Sequence, residues 1–243
     1  MQPVWGWFRW LYDTTGINLT IFYDAFDRSR FASGFWTTVR LSLICIGASI
    51  AIGILGALIQ TTRLRVARAV VDGYVQAFRN TPPLVQLYFF FFGLNAVLGT
   101  LPSRPSLSNV VWAIVSLSLF AGAFNVEIFR SGIEAVPRNT IEAAESLGFS
   151  RLQTYFRVVF PLAFRISLPA LNNNLVNLVK TTTLAYAIAV PEMLYVSSQI
   201  WSDELNVTAM MNVLLICYFF LVGVLVFAMD RLERALKVPG FGA

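Results

Sequence analysis

Glu127 and Lys180 are the main charged side chains that this sequence places inside long apolar stretches. An ionised group at the centre of a membrane-spanning helix costs about 2.5 to 3.5 kcal/mol on insertion scales, so each one needs a partner or a task. Asn125 lies beside Glu127, while Asn173, Asn177, Lys180 and Thr181 recur at three- and four-residue spacing, which makes a polar stripe along one helix. Two readings of these groups stay open. Either they bond to one another across helices, with Glu127 paired to Lys180 or to Arg130 one turn on, or they line a water-filled path for a polar solute. Thr81-Pro82-Pro83 adds a further polar feature. Proline brings no donor of its own, so carbonyls one turn earlier lose their partners. Beside a cavity those carbonyls are available to a solute's polar groups; a kink packed against neighbouring helices is the equal alternative.

Bond-making chemistry is poorly provided for. The chain has 243 residues and no histidine, which removes the usual general base near neutral pH and the commonest metal ligand. Neither a Ser-His-Asp triad nor a His-bearing metal site can be built from it. No stretch reads G-x-x-x-x-G-K-[ST], so nucleotide phosphates are not cradled by a P-loop, and any ATP hydrolysis belongs to another polypeptide. Glu134, Glu142 and Glu145 read as helix-surface groups and not as the carboxylate cluster of a membrane-embedded enzyme. Cys45 and Cys217 each sit in an apolar stretch, where a thiol acts as a small hydrophobe.

The elements that must position these residues are membrane spans. Hydrophobic residues make up 57% of the chain and charged residues 13%, a balance unsuited to water. Stretches of roughly 20 apolar residues, the length needed to cross a bilayer core, run from about 34 to 60, 70 to 98, 107 to 129, 163 to 190 and 207 to 229. The expected fold is all-α and polytopic, with about five transmembrane helices. Gly47, Ala51, Gly53, Gly56 and Ala57 suit a close helix contact in the first. Residues 1–33 form a separate N-terminal segment whose Trp5, Trp7, Phe8, Trp10 and Tyr12 suit a short helix at the membrane-water interface. The first thirty residues lack the pattern of a cleaved signal peptide.

Basic residues set the orientation. Arg63, Arg65 and Arg68, then Arg130, Arg138, Arg151, Arg157 and Arg165, then Arg231, Arg234 and Lys237 fall on one side of five spans. Arg104, Asp203 and Glu204 fall on the other, so the N-terminus is expected outside and the C-terminus in the cytoplasm. The net charge of +5 is thus a matter of topology, and no nucleic-acid partner is expected.

The loop of about 131–160 breaks the apolar rhythm. Asn139 and Glu142 have capping-box spacing, as do Ser150 and Gln153, and Gly148 between them suits a left-handed helix end. Ile141, Ala144 and Leu147 share one helical face, and Phe149, Leu152, Phe156 and Val159 another. The pattern leaves open a helix pair lying on the bilayer or a protrusion that docks into a partner.

Glu142-Ala143-Ala144, Gly148, Val158, Phe160 and Pro161 follow the spacing of the EAA motif, and in this respect the chain resembles the permease subunits of binding-protein-dependent ABC importers. Phe78-Arg79-Asn80-Thr81-Pro82-Pro83-Leu84-Val85-Gln86-Leu87 and Leu178-Val179-Lys180-Thr181-Thr182-Thr183-Leu184, leading to Val190-Pro191-Glu192, narrow the resemblance to the polar amino acid subfamily, over about 34–237. It implies a permease domain over 34–243, in the bacterial inner membrane, carrying a cytoplasmic coupling helix. In that helix Glu142, Ala143, Ala144 and Gly148 would meet a separate ATPase subunit, which holds ATP and Mg; this chain itself would hold no cofactor or metal. It also implies an external solute-binding protein, surrounding lipid, and a second permease, either homologous or another copy. The solute would pass Thr81, Pro82, Asn125, Glu127, Asn173, Asn177, Lys180 and Thr181. The position after Lys180, often Asp in such permeases, is Thr181, so an acidic anchor for the solute is expected from the second permease. An ATP-independent secondary transporter or channel subunit is the alternative, but it would carry an inverted repeat that the sequence does not display.

Overall fold

The computed structural model describes residues 2–99 and 107–236, and the regular structure among them is entirely helical. Arg104 and Lys237, counted above for orientation, lie outside the described residues. The chain folds as two compact units. The first takes residues 1–44, 87–115 and 179–223, and the second takes 45–86, 116–178 and 224–243.

Helix α1 (Gln2–Thr15) carries the aromatic arm, with Trp7 and Trp10 exposed. A short α2 (Thr20–Tyr23) leads to α3 (Ala25–Thr61). The helix starts nine residues before the apolar stretch because Asp24 caps it: its Oδ1 accepts the amides of Phe26 at 2.8 Å and Asp27 at 2.9 Å. Its 37 residues rise about 55 Å, well beyond a hydrocarbon core of about 30 Å. Helix α4 (Arg65–Arg79) is followed by α5 (Pro83–Tyr88), a π-helical stretch Phe89–Leu94 and α6 (Asn95–Gly99). The expected second span is therefore not straight: the chain bends by 111° between Arg79 and Pro83. Pro82 and Pro83 cause the break, since neither can donate to a preceding turn.

Helix α7 (Asn109–Glu134) comes next. The loop holds α8 (Arg138–Ser146), α9 (Arg151–Thr154) and a π-helical turn Tyr155–Val159 that runs into α10 (Phe160–Thr181). A 3-10 stretch Thr182–Ile188 ends on Ala189 in the left-handed conformation (φ 55°), before α11 (Met193–Glu204) and α12 (Val207–Leu236). Helices α3, α7 and α12 are long and apolar enough to cross a membrane, and the bent pair makes a fourth span if counted as one. Helix α10 has the length, 22 residues or about 33 Å, but its asparagines, Arg165 and Lys180 make it more polar than those three.

In the first unit Ile21, Val196, Ile200 and Met210 form the core, with Phe31 and Trp201 against them. Arg30 ties the elements at that surface, reaching Asp27 at 2.8 Å and Asp203 at 3.0 Å. In the second unit Ala57, Phe129, Leu168, Leu171 and Leu175 pack together, joined by Leu225 and Met229. The small residues of α3 divide. Gly53, Gly56 and Ala57 are buried, and a Cβ on Gly53 would collide with Asn125, so α3 and α7 approach closely there. Gly47 and Ala51 are exposed and take no part in that contact.

Candidate functional site

Two groups of residues were expected to carry function, and both lie largely in the second unit. The first is the loop. Helix α8 ends in a paired arrangement of bonds in which the Phe149 amide reaches the Ala144 carbonyl at 3.2 Å and the Gly148 amide reaches that of Glu145 at 2.9 Å. This is the Schellman closure, and it requires the left-handed φ of +86° that Gly148 adopts. Ser150 then starts α9 with a full capping box to Gln153. The box expected from Asn139 and Glu142 does not form. Pro137, with φ −61° and ψ 138°, occupies the cap position and its carbonyl accepts the Thr140 amide at 3.1 Å, so Asn139 is already inside the first turn.

Glu142 and Ala143 are exposed, Gly148 is exposed, and Ala144 is buried with Ile141 packed towards Val136, Val159 and Ala163. The apolar faces expected for this loop split. Leu147, Leu152 and Phe156 project outward, 79%, 69% and 55% exposed, while Val159 turns inward. Leu147 points away because it follows the last helical residue of α8, where the chain is already unwinding. Burial pushes the Tyr155 phenol above its ordinary pKa.

The second group is polar and embedded. Asn125 is fully buried and joins three helices: it accepts from the Asn174 amide at 2.8 Å and donates to Ser49 Oγ at 3.2 Å. Of the two partners weighed for Glu127, Arg130 makes the bond, its Nη2 lying 2.7 Å from Oε2. Arg79 Nη1 approaches the same oxygen at 3.7 Å, and Arg130 also holds Glu134 at 2.7 Å. Arg79 and Glu127 stand in the wall of a cavity of about 450 Å³ whose other walls include Ile128, Ile166, Ser167 and Ala170. Opposite charges at one end and short or apolar side chains elsewhere suit a small molecule that carries both signs of charge.

Thr81 and Pro82 are exposed at the bend. The carbonyls released there are largely recaptured. The Gln86 amide donates to Phe78 O at 2.8 Å, Thr81 O at 3.0 Å and Thr81 Oγ1 at 2.7 Å, and the Thr81 hydroxyl donates to Ala77 O at 2.8 Å. On α10, Asn173, Asn177 and Lys180 are exposed and Thr181 is half-buried. Asn173 and Asn177 belong to the same unit as Glu127, whereas Lys180 and Thr181 fall in the other unit. Lys180 makes no ion pair among the described residues.

Arg79, Gln86, Ser49 and Asn174 were not singled out as site residues from the sequence. A signal existed for Gln86, a lone amide in an apolar run just after two prolines, and for Arg79, a cation at the break of a span.

Similar chains are known both by sequence and by fold. The L-cystine transport system permease protein TcyB of Bacillus subtilis is 34% identical over 175 residues, 72% of each chain. The probable glutamine ABC transporter permease protein GlnM of the same organism is 29% identical over 222 residues, 91% of this chain and 99% of that one. In fold, the chain superposes on a solved amino acid ABC transporter with histidines at a TM-score of 0.77, with 24% identity over 86% of this chain and 94% of that one. The MetNI methionine ABC transporter in an inward-facing form follows at 0.68, with 22% identity over 86% and 96%. The pattern described as binding-protein-dependent transport system inner membrane component matches residues 49–238. With its membrane-spanning helices and the loop at Glu142 to Gly148, the chain belongs to that family, the multi-pass inner membrane components of binding-protein-dependent transport systems.

Proposed function

We propose that this permease forms half of the translocation path for a polar amino acid or amino acid derivative, driven by ATP hydrolysed on a separate subunit. The observation that carries the reading is the cavity walled by Arg79 and Glu127. A zwitterion brings a carboxylate for the guanidinium and an ammonium for the carboxylate, and charge-assisted bonds of this kind contribute about 1.5 to 3 kcal/mol each. Relatives named for cystine and glutamine transport support the solute class. Thr81, Pro82, Asn125, Asn173, Asn177, Lys180 and Thr181 border or brace the path in this reading. A second permease, homologous or another copy, completes it and supplies the acidic anchor that Thr181 lacks.

The ATPase meets the loop through the exposed Glu142, Ala143 and Gly148, with the buried Ala144 seating that helix and not touching the partner as the resemblance implied, and ATP with Mg is held there and not here. The N-terminus lies outside the cell, where the solute-binding protein docks, and the C-terminus in the cytoplasm. The test is uptake of labelled amino acids by the complete transporter in proteoliposomes. Glu127→Gln lowers uptake at least about tenfold, the loss of one charge-assisted bond, while the ATPase still hydrolyses ATP. Undiminished uptake removes Glu127 from the path, and uptake that survives without the ATPase sinks the ATP-driven reading.

A further inference from the structure

The Glu127 carboxylate borders two cavities. Beyond the one it shares with Arg79 lies a second, of about 360 Å³, lined by Gln60, Arg68, Asp72, Gln76 and Arg130 as well as Glu127, with the buried Val75 behind it. Its size falls within the range of about 300 to 1,000 Å³ usual for small-molecule sites. All of these residues belong to the second unit.

The bonding of its walls is incomplete in a particular way. Gln60 Nε2 donates to Asp72 Oδ1 at 2.8 Å, which positions both side chains. Gln60 Oε1 is left buried with no partner, an acceptor beside a carboxylate. Asp72 itself is exposed, so its carboxylate keeps acceptor capacity for an arriving N–H group beyond the bond from Gln60. Arg68 makes no ion pair among the described residues, so a guanidinium stands uncommitted in the same wall. Arg130, by contrast, is already bonded to Glu127 and Glu134 at 2.7 Å each. A lone cation entering this space meets Arg68, and a lone anion meets Asp72. A molecule bearing both charges a few bonds apart satisfies both.

We propose that this second cavity is a further solute site, which takes the ammonium group of an α-amino acid on Asp72, held in place by Gln60, and its carboxylate on Arg68. The inference rests on the reading of the solute as an amino acid and extends it to two stations that share the Glu127 wall. The second station lies at the end of α3 and the start of α4, beside the Arg63, Arg65 and Arg68 cluster, which places it on the receiving side of the proposed orientation. It reads only the two charged groups common to all amino acids, so the smallest amino acids bind as well as larger ones. Solute on the receiving side then competes with release.

The experiment uses the purified protein in lipid nanodiscs, with Gln76→Cys as a reporter in the cavity wall and Cys217→Ser to remove the half-buried native thiol. The rate at which a charged thiol reagent modifies the new cysteine is measured with 10 to 20 mM L-alanine as the probe. L-Alanine slows modification at least threefold. N-acetyl-L-alanine, which lacks the ammonium, and L-alanine methyl ester, which lacks the carboxylate, do not. Asp72→Asn and, separately, the exposed Arg68→Gln each abolish the protection, so one misfolded variant does not decide the matter. Equal rates with and without L-alanine, or equal protection by the blocked derivatives, overturn the proposal. Protection that persists while the whole transporter moves no amino acid sinks the solute reading alone, and lost protection with uptake intact sinks this site alone.

Discussion

Gln86 shows how one side chain makes a broken span tolerable. Turning the chain through 111° at Pro82 and Pro83 frees carbonyls that lipid cannot satisfy, and a single buried amide recaptures two of them together with the Thr81 hydroxyl. Gln86→Leu keeps the volume but leaves those acceptors bare, at about 1 to 3 kcal/mol for each buried one. The expected outcome is a loss of about 2 kcal/mol or more in reversible unfolding of the protein in detergent micelles; a variant as stable as the parent removes this role. The fate of Glu127 is decided at the same scale. Helical spacing permitted Lys180 or Arg130 as its partner, and the bond to Arg130 follows from a one-turn separation on α7, the shorter reach.

At the scale of elements, the loop between α7 and α10 is the best-determined part of the site. Gly148 at φ +86° ends α8, and a Cβ there would meet nothing within 4 Å, so the cost of a substitution lies in the backbone alone. A β-carbon in the left-handed region costs about 1 to 2 kcal/mol, and Asn bears it best. Gly148→Ala therefore speeds amide hydrogen exchange across residues 138–149 by roughly fivefold or more, whereas Gly148→Asn changes it little. Equal exchange in both variants shows that the left-handed turn does not hold the loop. The capping box at Ser150 was legible because it is a four-residue pattern, and the one at Asn139 failed because Pro137 had already opened the helix. The outward turn of Leu147, Leu152 and Phe156 was not legible from helical periodicity, since α8 stops at Ser146 and a π-helical turn shifts the register after Thr154.

At the scale of the whole molecule, α10 presents Arg165, Asn173, Asn177 and Lys180 on its exposed side, a face that hydrocarbon would not accept. The expected cover is a second permease with water-filled space between. Asn173→Cys then crosslinks to the neighbouring permease with a short bifunctional thiol reagent in native membranes, and labelling by lipid-soluble reagents without any crosslink would assign the face to lipid. The apolar spans, the helical loop with Gly148 at its turn and the polar stripe of α10 are readable along the chain, because each is a matter of composition or of periods shorter than about ten residues. That Asn125 is a brace, joined to Ser49 across 76 residues and to Asn174 across 49, emerges from the packing of the helices. The same holds for Arg79 beside Glu127 and for the second cavity that Glu127 also lines. A helical pattern states which face a residue occupies, whereas the partner it meets depends on which helix packs there and on how closely small residues such as Gly53 let the backbones approach.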